Sequence, residues 1–149
     1  MRRRESEVIQ IDLLQRCDKI NSLIAEIELR VGDRVSEARI RLQSIMDQLQ
    51  CESSEYRKER IEMEIALLAD RVDITEELVR LRAHAHLFGL SFVGCNDEPV
   101  GQKLAFLLHE MQREASTIGS KANSAPIAHC VVLIKQELEK IREQVQNLR

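Results

Sequence analysis

Acidic, basic and histidine side chains recur at helical spacing in two segments of the chain. In the first segment the spacing is 4, 3 and 4 residues, through Asp73, Glu77, Arg80 and His84. A helix advances by about 100° per residue, so these four side chains share an arc of roughly 60°. The sequence therefore predicts one polar stripe along a helix.

A second segment repeats this spacing through Glu110, Glu114, Thr117 and Lys121. Two stripes of similar chemistry are expected to face one another or a shared groove. Hard divalent cations such as Mg²⁺ and Mn²⁺ take carboxylate oxygens as ligands and often share them with a phosphate. By type and position, the candidate metal ligands are the four carboxylates of the stripes: Asp73, Glu77, Glu110 and Glu114.

The remaining polar residues of the stripes suit a phosphate substrate. Imidazole exchanges protons near neutral pH, which makes His84 a candidate metal ligand or general acid–base. Arg80, Arg113 and Lys121 are candidate phosphate contacts. A structural interpretation stays open, because solvated helix faces carry charges freely and Arg80 and Arg113 are equally suited to pairing with neighbouring glutamates.

The composition indicates which elements position these residues. The 149-residue chain has no Trp, one Tyr and three Phe, and its five Gly and two Pro leave little for turns. An aliphatic, turn-poor chain of this length favours long helices in one domain over a many-stranded sheet. We predict an all-α fold, a bundle of about five or six helices with long amphipathic helices, as a single domain over residues 1–149.

Apolar spacing divides this domain into three parts. Residues 1–52 carry an apolar series that Gly32 and Asp33 interrupt, which predicts either one long kinked helix or a helical hairpin. Residues 53–122 contain the two stripes, with a break or cap at Asp73 and a main loop over residues 89–98. Gly119 leaves the end of the second stripe open, because Lys121 belongs to it only if the helix continues through that glycine.

The final helix, within residues 123–149, is expected to begin around Asn123 or Ser124. Its apolar residues form a heptad-like, coiled-coil type of seam through Ile127, Val131, Ile134, Leu138, Ile141, Val145 and Leu148. Each buried aliphatic side chain contributes about 1.5–3 kcal/mol, so such seams should hold the bundle together. The partner of this last seam lies either in the same chain or in another subunit.

Several functional classes lose support from the sequence. The net charge of −3 gives no global field for a nucleic acid or a membrane, and the four cysteines form no close pair typical of zinc or disulfide scaffolds. Apolar spans, an N-terminal signal region and nucleotide-binding glycine motifs are absent, so we expect a soluble, cytoplasmic protein without membrane contact. Aromatic platforms for stacking single-stranded bases are largely missing.

The segments RRRESE, EIALLADRVDITEELVRLRAH, PVGQKLAFLLHEMQREASTIGSKAN and ELEKIREQVQN resemble the helical C-terminal half of the YicC/YloC family of bacterial endoribonucleases. The resemblance covers almost the whole chain. It implies RNA as the partner, cleavage of RNA phosphodiester bonds with a divalent metal (Mn²⁺ or Mg²⁺), and a ring-like homo-oligomer. With it, we assign catalysis to Glu77, His84, Glu110 and Glu114, metal binding to Asp73, Glu77, Glu110 and Glu114, and RNA-phosphate binding to Arg80, Arg113 and Lys121.

The sequence departs from the family pattern in three respects. The resemblance implies an N-terminal domain that these 149 residues do not include, and Gln102 and Ala105 stand where the family usually has Arg and Asp. His109 and Gln112 are milder replacements of amides. These departures keep two alternatives open: a structural oligomerisation module, and a non-catalytic RNA-binding domain of the same family.

Overall fold

The computed structural model describes residues 2–48, 54–71, 73–91 and 100–147, and within these ranges it contains no strand. The predicted all-α fold is confirmed. Five helices follow one another along the described parts of the chain: α1 (Arg2–Gln48), α2 (Ser54–Arg71), α3 (Thr75–Leu90), α4 (Val100–Ala122) and α5 (Ala125–Gln146).

The first helix, α1, is one continuous helix of 47 residues, so the hairpin alternative for the start of the chain does not occur within Arg2–Gln48. Gly32 lies inside α1 and has open space around it. A single glycine costs only about 1 kcal/mol in a helix interior, and no proline interrupts this segment. Continuing the helix is therefore cheaper than forming a turn.

The N-terminal half of α1 packs with α3, α4 and α5 around one aliphatic core. Its buried residues are fully or almost fully enclosed, among them Leu13, Ile20, Leu81, Phe88, Met111, Ile118, Ile134 and Ile141. The seam of α5 is buried in this same core from Ile127 to Val145, while Leu148 lies outside the described residues. The partner of the seam is thus found within the chain.

The C-terminal half of α1 forms an antiparallel pair with α2. Ile61 and Ile65 of α2 are buried, and the two helices are also joined by ion pairs, Arg57 with Asp47 at 2.7 Å and Arg39 with Glu62. α2 thus runs back along α1 toward the start of α3.

A buried carboxylate joins α1 to α5. Glu137 is 3% exposed and accepts hydrogen bonds from Arg16 at 3.0 Å and Lys19 at 3.1 Å. Burial acts to raise the pKa of Glu137, but the hydrogen bonds from the two cations outweigh burial and hold this pKa below its ordinary value. The carboxylate therefore stays ionised inside the bundle.

The helix boundaries set the length of the two stripes. α2 ends at Arg71 and α3 begins at Thr75, which confirms the predicted break at Asp73. α4 continues through Gly119 to Ala122, so Lys121 belongs to the second stripe. Asn123 then takes a left-handed turn conformation (φ 44°), and Ser124 occupies the N-cap position of α5 without a side-chain capping hydrogen bond. The predicted helix start around Asn123 or Ser124 is confirmed.

The predicted main loop over residues 89–98 is only partly described by the structure. α3 continues through Gly89 and Leu90, so the loop starts later than residue 89. Residues 92–99, which include the predicted cap Asp97 and Pro99, lie outside the described residues. No helix of the described ranges is both long and apolar enough to cross a membrane.

Candidate functional site

The two polar stripes face one another across the antiparallel contact between α3 and α4. Lys121 Nζ donates to Glu77 Oε1 at 2.7 Å. One turn farther along, Arg80 donates through Nε to Glu114 Oε1 at 2.7 Å and through Nη2 to Glu114 Oε2 at 3.4 Å. Each helix supplies one acid and one cation, so the sequence-based prediction that the stripes meet is confirmed.

Acids and cations lie at different depths in this contact. The side chains of Glu77 and Glu114 are only 6% and 8% exposed, whereas those of Arg80 and Lys121 are 47% and 48% exposed. The carboxylates form the floor and the cations reach solvent above them. Spacing alone did not reveal this difference in depth.

Glu110 and Arg113, one turn nearer the start of α4, also combine a less exposed acid with an exposed cation. The Glu110 side chain is 20% exposed, the Arg113 side chain is 72% exposed, and their nearest charged atoms are 3.8 Å apart. Arg80, Arg113 and Lys121 together are called the cationic surface below. Exposed acids flank this surface at its edge, because Glu76 is 85% exposed and lies 3.6 Å from Arg80.

The ion pairs between α3 and α4 shift the pKa values of three of their residues. The hydrogen bond from Lys121 lowers the pKa of Glu77 against the opposing effect of burial. The same bond raises the pKa of Lys121, and the hydrogen bond to Glu114 raises the pKa of Arg80. Glu77, Lys121 and Arg80 are therefore charged at neutral pH.

His84 lies one turn beyond Arg80 on α3, at the level of Glu110 in the antiparallel register. The side chain is partly buried, and its Nδ1 atom is enclosed without a hydrogen-bond partner in the described part of the chain. Buried polar atoms normally have a partner, so this nitrogen is a feature that a binding or catalytic role would explain. The predicted catalytic role of His84 stays a prediction.

Asp73 forms hydrogen bonds with the first residue of α3. It is exposed, and one of its carboxylate oxygens accepts from the Thr75 hydroxyl at 2.6 Å and from the Thr75 backbone N–H at 3.0 Å. These hydrogen bonds lower the pKa of Asp73, and the charge of Lys121 acts in the same direction. The structure thus places Asp73 near the Lys121 end of the contact.

The four predicted metal ligands do not form a metal site within one chain. The described residues hold no group of three or more His, Cys, Asp or Glu side chains placed to bind a metal ion. Of the four, Glu77 and Glu114 are directly hydrogen-bonded to cations, Glu110 lies near one, and Asp73 caps a turn. Their role as ligands, like the catalytic assignment, stays a prediction.

The family-variant positions lie mostly elsewhere on α4. Ala105, His109 and Gln112 line one cleft of about 300 Å³ between α4 and α5, and Arg142 of α5 also lines it. Gln102 is exposed on the same helix. The cleft opens on a different side of α4 from the cationic surface, so these replacements leave the Glu77–Lys121 and Arg80–Glu114 pairs in place.

Comparison with known proteins gives a consistent picture. Residues 27–149 match the family model described as "Endoribonuclease YicC-like, C-terminal". The chain is 38% identical over 148 residues to a protein of Clostridioides difficile (strain 630) named "Probable endoribonuclease YicC", and 33% identical over 148 residues to one of the same name from Haemophilus influenzae (strain Rd). Each match covers 99% of this chain and 50% of the relative.

Proposed function

Because the chain belongs to the family of YicC-like endoribonuclease C-terminal domains, we propose that it is the RNA-contacting part of an endoribonuclease. In this proposal Arg80, Arg113 and Lys121 contact phosphates of the RNA backbone. The chain spans half the length of the relatives it matches, so cleavage is proposed for the longer protein of which such a domain is part.

The observation that supports this proposal is that three cations lie together on the α3–α4 contact and face solvent. The side chains of Arg80, Arg113 and Lys121 are 47%, 72% and 48% exposed, while the carboxylates of Glu77 and Glu114 are enclosed beneath them. Buried Glu114 fixes the Arg80 guanidinium in one orientation, which reduces the side-chain entropy that binding would otherwise cost. Arginine and lysine held in this way are suited to RNA phosphates.

Metal dependence is a separate proposal that rests on the family. The residues that the structure describes form no preformed metal centre within one chain, so we derive no catalytic step through a metal ion. RNA cleavage by the longer protein should be compared in EDTA, Mg²⁺ and Mn²⁺. Activity that requires Mg²⁺ or Mn²⁺ would support the metal prediction, and equal activity in EDTA would contradict it.

RNA contact is tested by fluorescence anisotropy with a labelled single-stranded oligonucleotide. We expect Arg113→Gln to weaken binding. Arg60→Gln is the matched control, because Arg60 is also an exposed arginine 3.8 Å from a glutamate but lies on α2. Equal affinities of both variants and the unchanged chain would contradict the proposal.

The second candidate function is a structural oligomerisation module, since the same ion pairs join α3 to α4 and large apolar residues such as Val8 and Ile11 are exposed on α1. A ring-like homo-oligomer stays a prediction that light scattering coupled to gel filtration can measure. If Arg113→Gln left RNA affinity and cleavage intact but changed the subunit number, the structural function would replace the RNA-contacting one.

A further inference from the structure

The α4 face that carries the cationic surface continues past Glu110 to an exposed aromatic residue. Phe106 is four residues before Glu110, which rotates it by only about 40° around the helix. Its side chain is 61% exposed although α4 buries the neighbouring Leu104 and Leu107 in the core. This exposed ring leaves apolar area in contact with water that a bound partner would cover.

Cations lie on both sides of this ring along the same helix face. Lys103 precedes Phe106 by three residues, about 4.5 Å along the axis, and is exposed. Arg113 follows by seven residues, about 10.5 Å along the axis and about 20° around it, and its side chain is 72% exposed. Glu110, the carboxylate between Phe106 and Arg113, is mostly buried.

The neighbouring helix α3 contributes an exposed apolar residue at the same end of this surface. Leu87 is one turn beyond His84 on α3 and is 45% exposed. In the antiparallel register set by the Arg80–Glu114 pair, Leu87 comes level with Leu107, the residue that follows Phe106. The surface formed by α3 and α4 therefore changes from charged at one end to apolar and aromatic at the other.

We propose that Phe106 is a stacking platform for a nucleobase of single-stranded RNA, with Lys103 and Arg113 contacting the phosphates on either side. The inference rests on the proposed RNA contact and assigns a base-binding site to it. An aromatic ring between two exposed cations complements a base between two phosphates, whereas a purely apolar partner would gain nothing from the two cations. Stacking tolerates any base, because every base has a π face.

This site also revises an expectation drawn from the sequence. The low aromatic content indicated that stacking platforms are largely missing, and the stripe on α4 was traced only through charged and polar residues. Phe106 continues the stripe by four residues toward the start of the helix. Its exposure, which decides whether it stacks on a ligand or fills the core, is a property of the fold.

The test compares Phe106→Ala with Phe106→Tyr in binding to a single-stranded oligonucleotide. We expect Phe106→Ala to lose about 5- to 150-fold in affinity, the range to which about 1–3 kcal/mol of base stacking converts at about 1.4 kcal/mol per factor of ten. Phe106→Tyr should retain binding. Val132→Ala, which removes a 50% exposed apolar side chain from α5, is the control and should change nothing.

An oligonucleotide with abasic sites separates stacking from phosphate contact. The loss caused by Phe106→Ala should disappear when bases are missing, because only the stacking partner has been removed. The chain has no tryptophan, so Phe106→Trp also provides a single reporter whose fluorescence should be quenched by bound RNA and not by the abasic strand.

Each other outcome has a distinct meaning. Equal affinities of Phe106→Ala and the unchanged chain overturn the stacking site but leave phosphate contact standing. No RNA affinity in any variant, including the longer protein, overturns the proposed function together with this inference. A change in subunit number on Phe106→Ala, with no effect of the bases, assigns the ring to an interface between copies of the chain.

Discussion

The buried carboxylate of Glu77 allows the α3–α4 contact to be tested by a single change. Glu77→Gln keeps the size of the side chain but removes the charge that accepts the 2.7 Å hydrogen bond from Lys121. A hydrogen bond to a charged group contributes about 1.5–3 kcal/mol. Solvent screening reduces this contribution because the cation is about half exposed. We therefore expect Glu77→Gln to lower the free energy of unfolding by about 1–2 kcal/mol at neutral pH.

The size of this loss should depend on pH. The hydrogen bond from Lys121 holds the pKa of Glu77 in the folded chain below its unfolded value, which is about 4.3 for a glutamate. The charged carboxylate therefore contributes stability above the unfolded pKa, and this contribution is lost as pH falls through the folded pKa. The difference between the unchanged chain and Glu77→Gln should be full at neutral pH and vanish in strongly acid solution.

Urea unfolding followed by far-ultraviolet circular dichroism measures both effects. The pKa of Glu137 is also lowered, but Glu137 is present in both proteins and its contribution cancels in the difference. Glu76→Gln is the matched control, because Glu76 precedes Glu77 but is 85% exposed, and it should change stability by less than about 0.5 kcal/mol. Equal effects of the two substitutions, or a pH-independent difference, would refute the reasoning.

Three other regions of the bundle give predictions of the same kind. Glu137→Gln removes a carboxylate that two cations of α1 bind, so it should lower the urea midpoint more than Glu139→Gln, whose carboxylate is 49% exposed. Gly119→Ala adds a methyl group 3.3 Å from Val131, so its effect on stability should be more favourable in a Val131→Ala background, as a double-mutant cycle can measure. Burial raises the pKa of the Cys17 thiol to about 12, so iodoacetamide should leave it unmodified at pH 8 in the folded chain and alkylate it after unfolding, as mass spectrometry can show.

Composition was sufficient to predict the fold class, and helical spacing predicted the two facing stripes. The sequence also placed a break or cap at Asp73 and the start of α5 around Asn123 or Ser124, because short polar residues mark helix ends. Spacing left the continuity of α1 open at Gly32. A single glycine changes helix stability by only about 1 kcal/mol. Packing of α1 against α2 and α5 therefore decides whether the helix continues through Gly32.

The depth of the charged residues could not be predicted in the same way. Glu77 and Lys121 are hydrogen-bonded to each other across the two stripes, yet one is enclosed and the other reaches solvent. The short glutamate side chain ends inside the helix contact, and the longer lysine extends past it. That distinction depends on how closely α3 and α4 approach, which residue spacing does not give.

The salt dependence of RNA binding tests the cationic surface most directly. Each phosphate contact with a single strand contributes about 0.7 to the slope of log affinity against log salt concentration. Replacing Arg113 and Lys121 together by glutamine should therefore reduce the slope by about 1.4, whereas Arg60→Gln on α2 should leave it unchanged. A double variant that is folded by circular dichroism and keeps the full slope would contradict the proposal that these cations contact RNA phosphates.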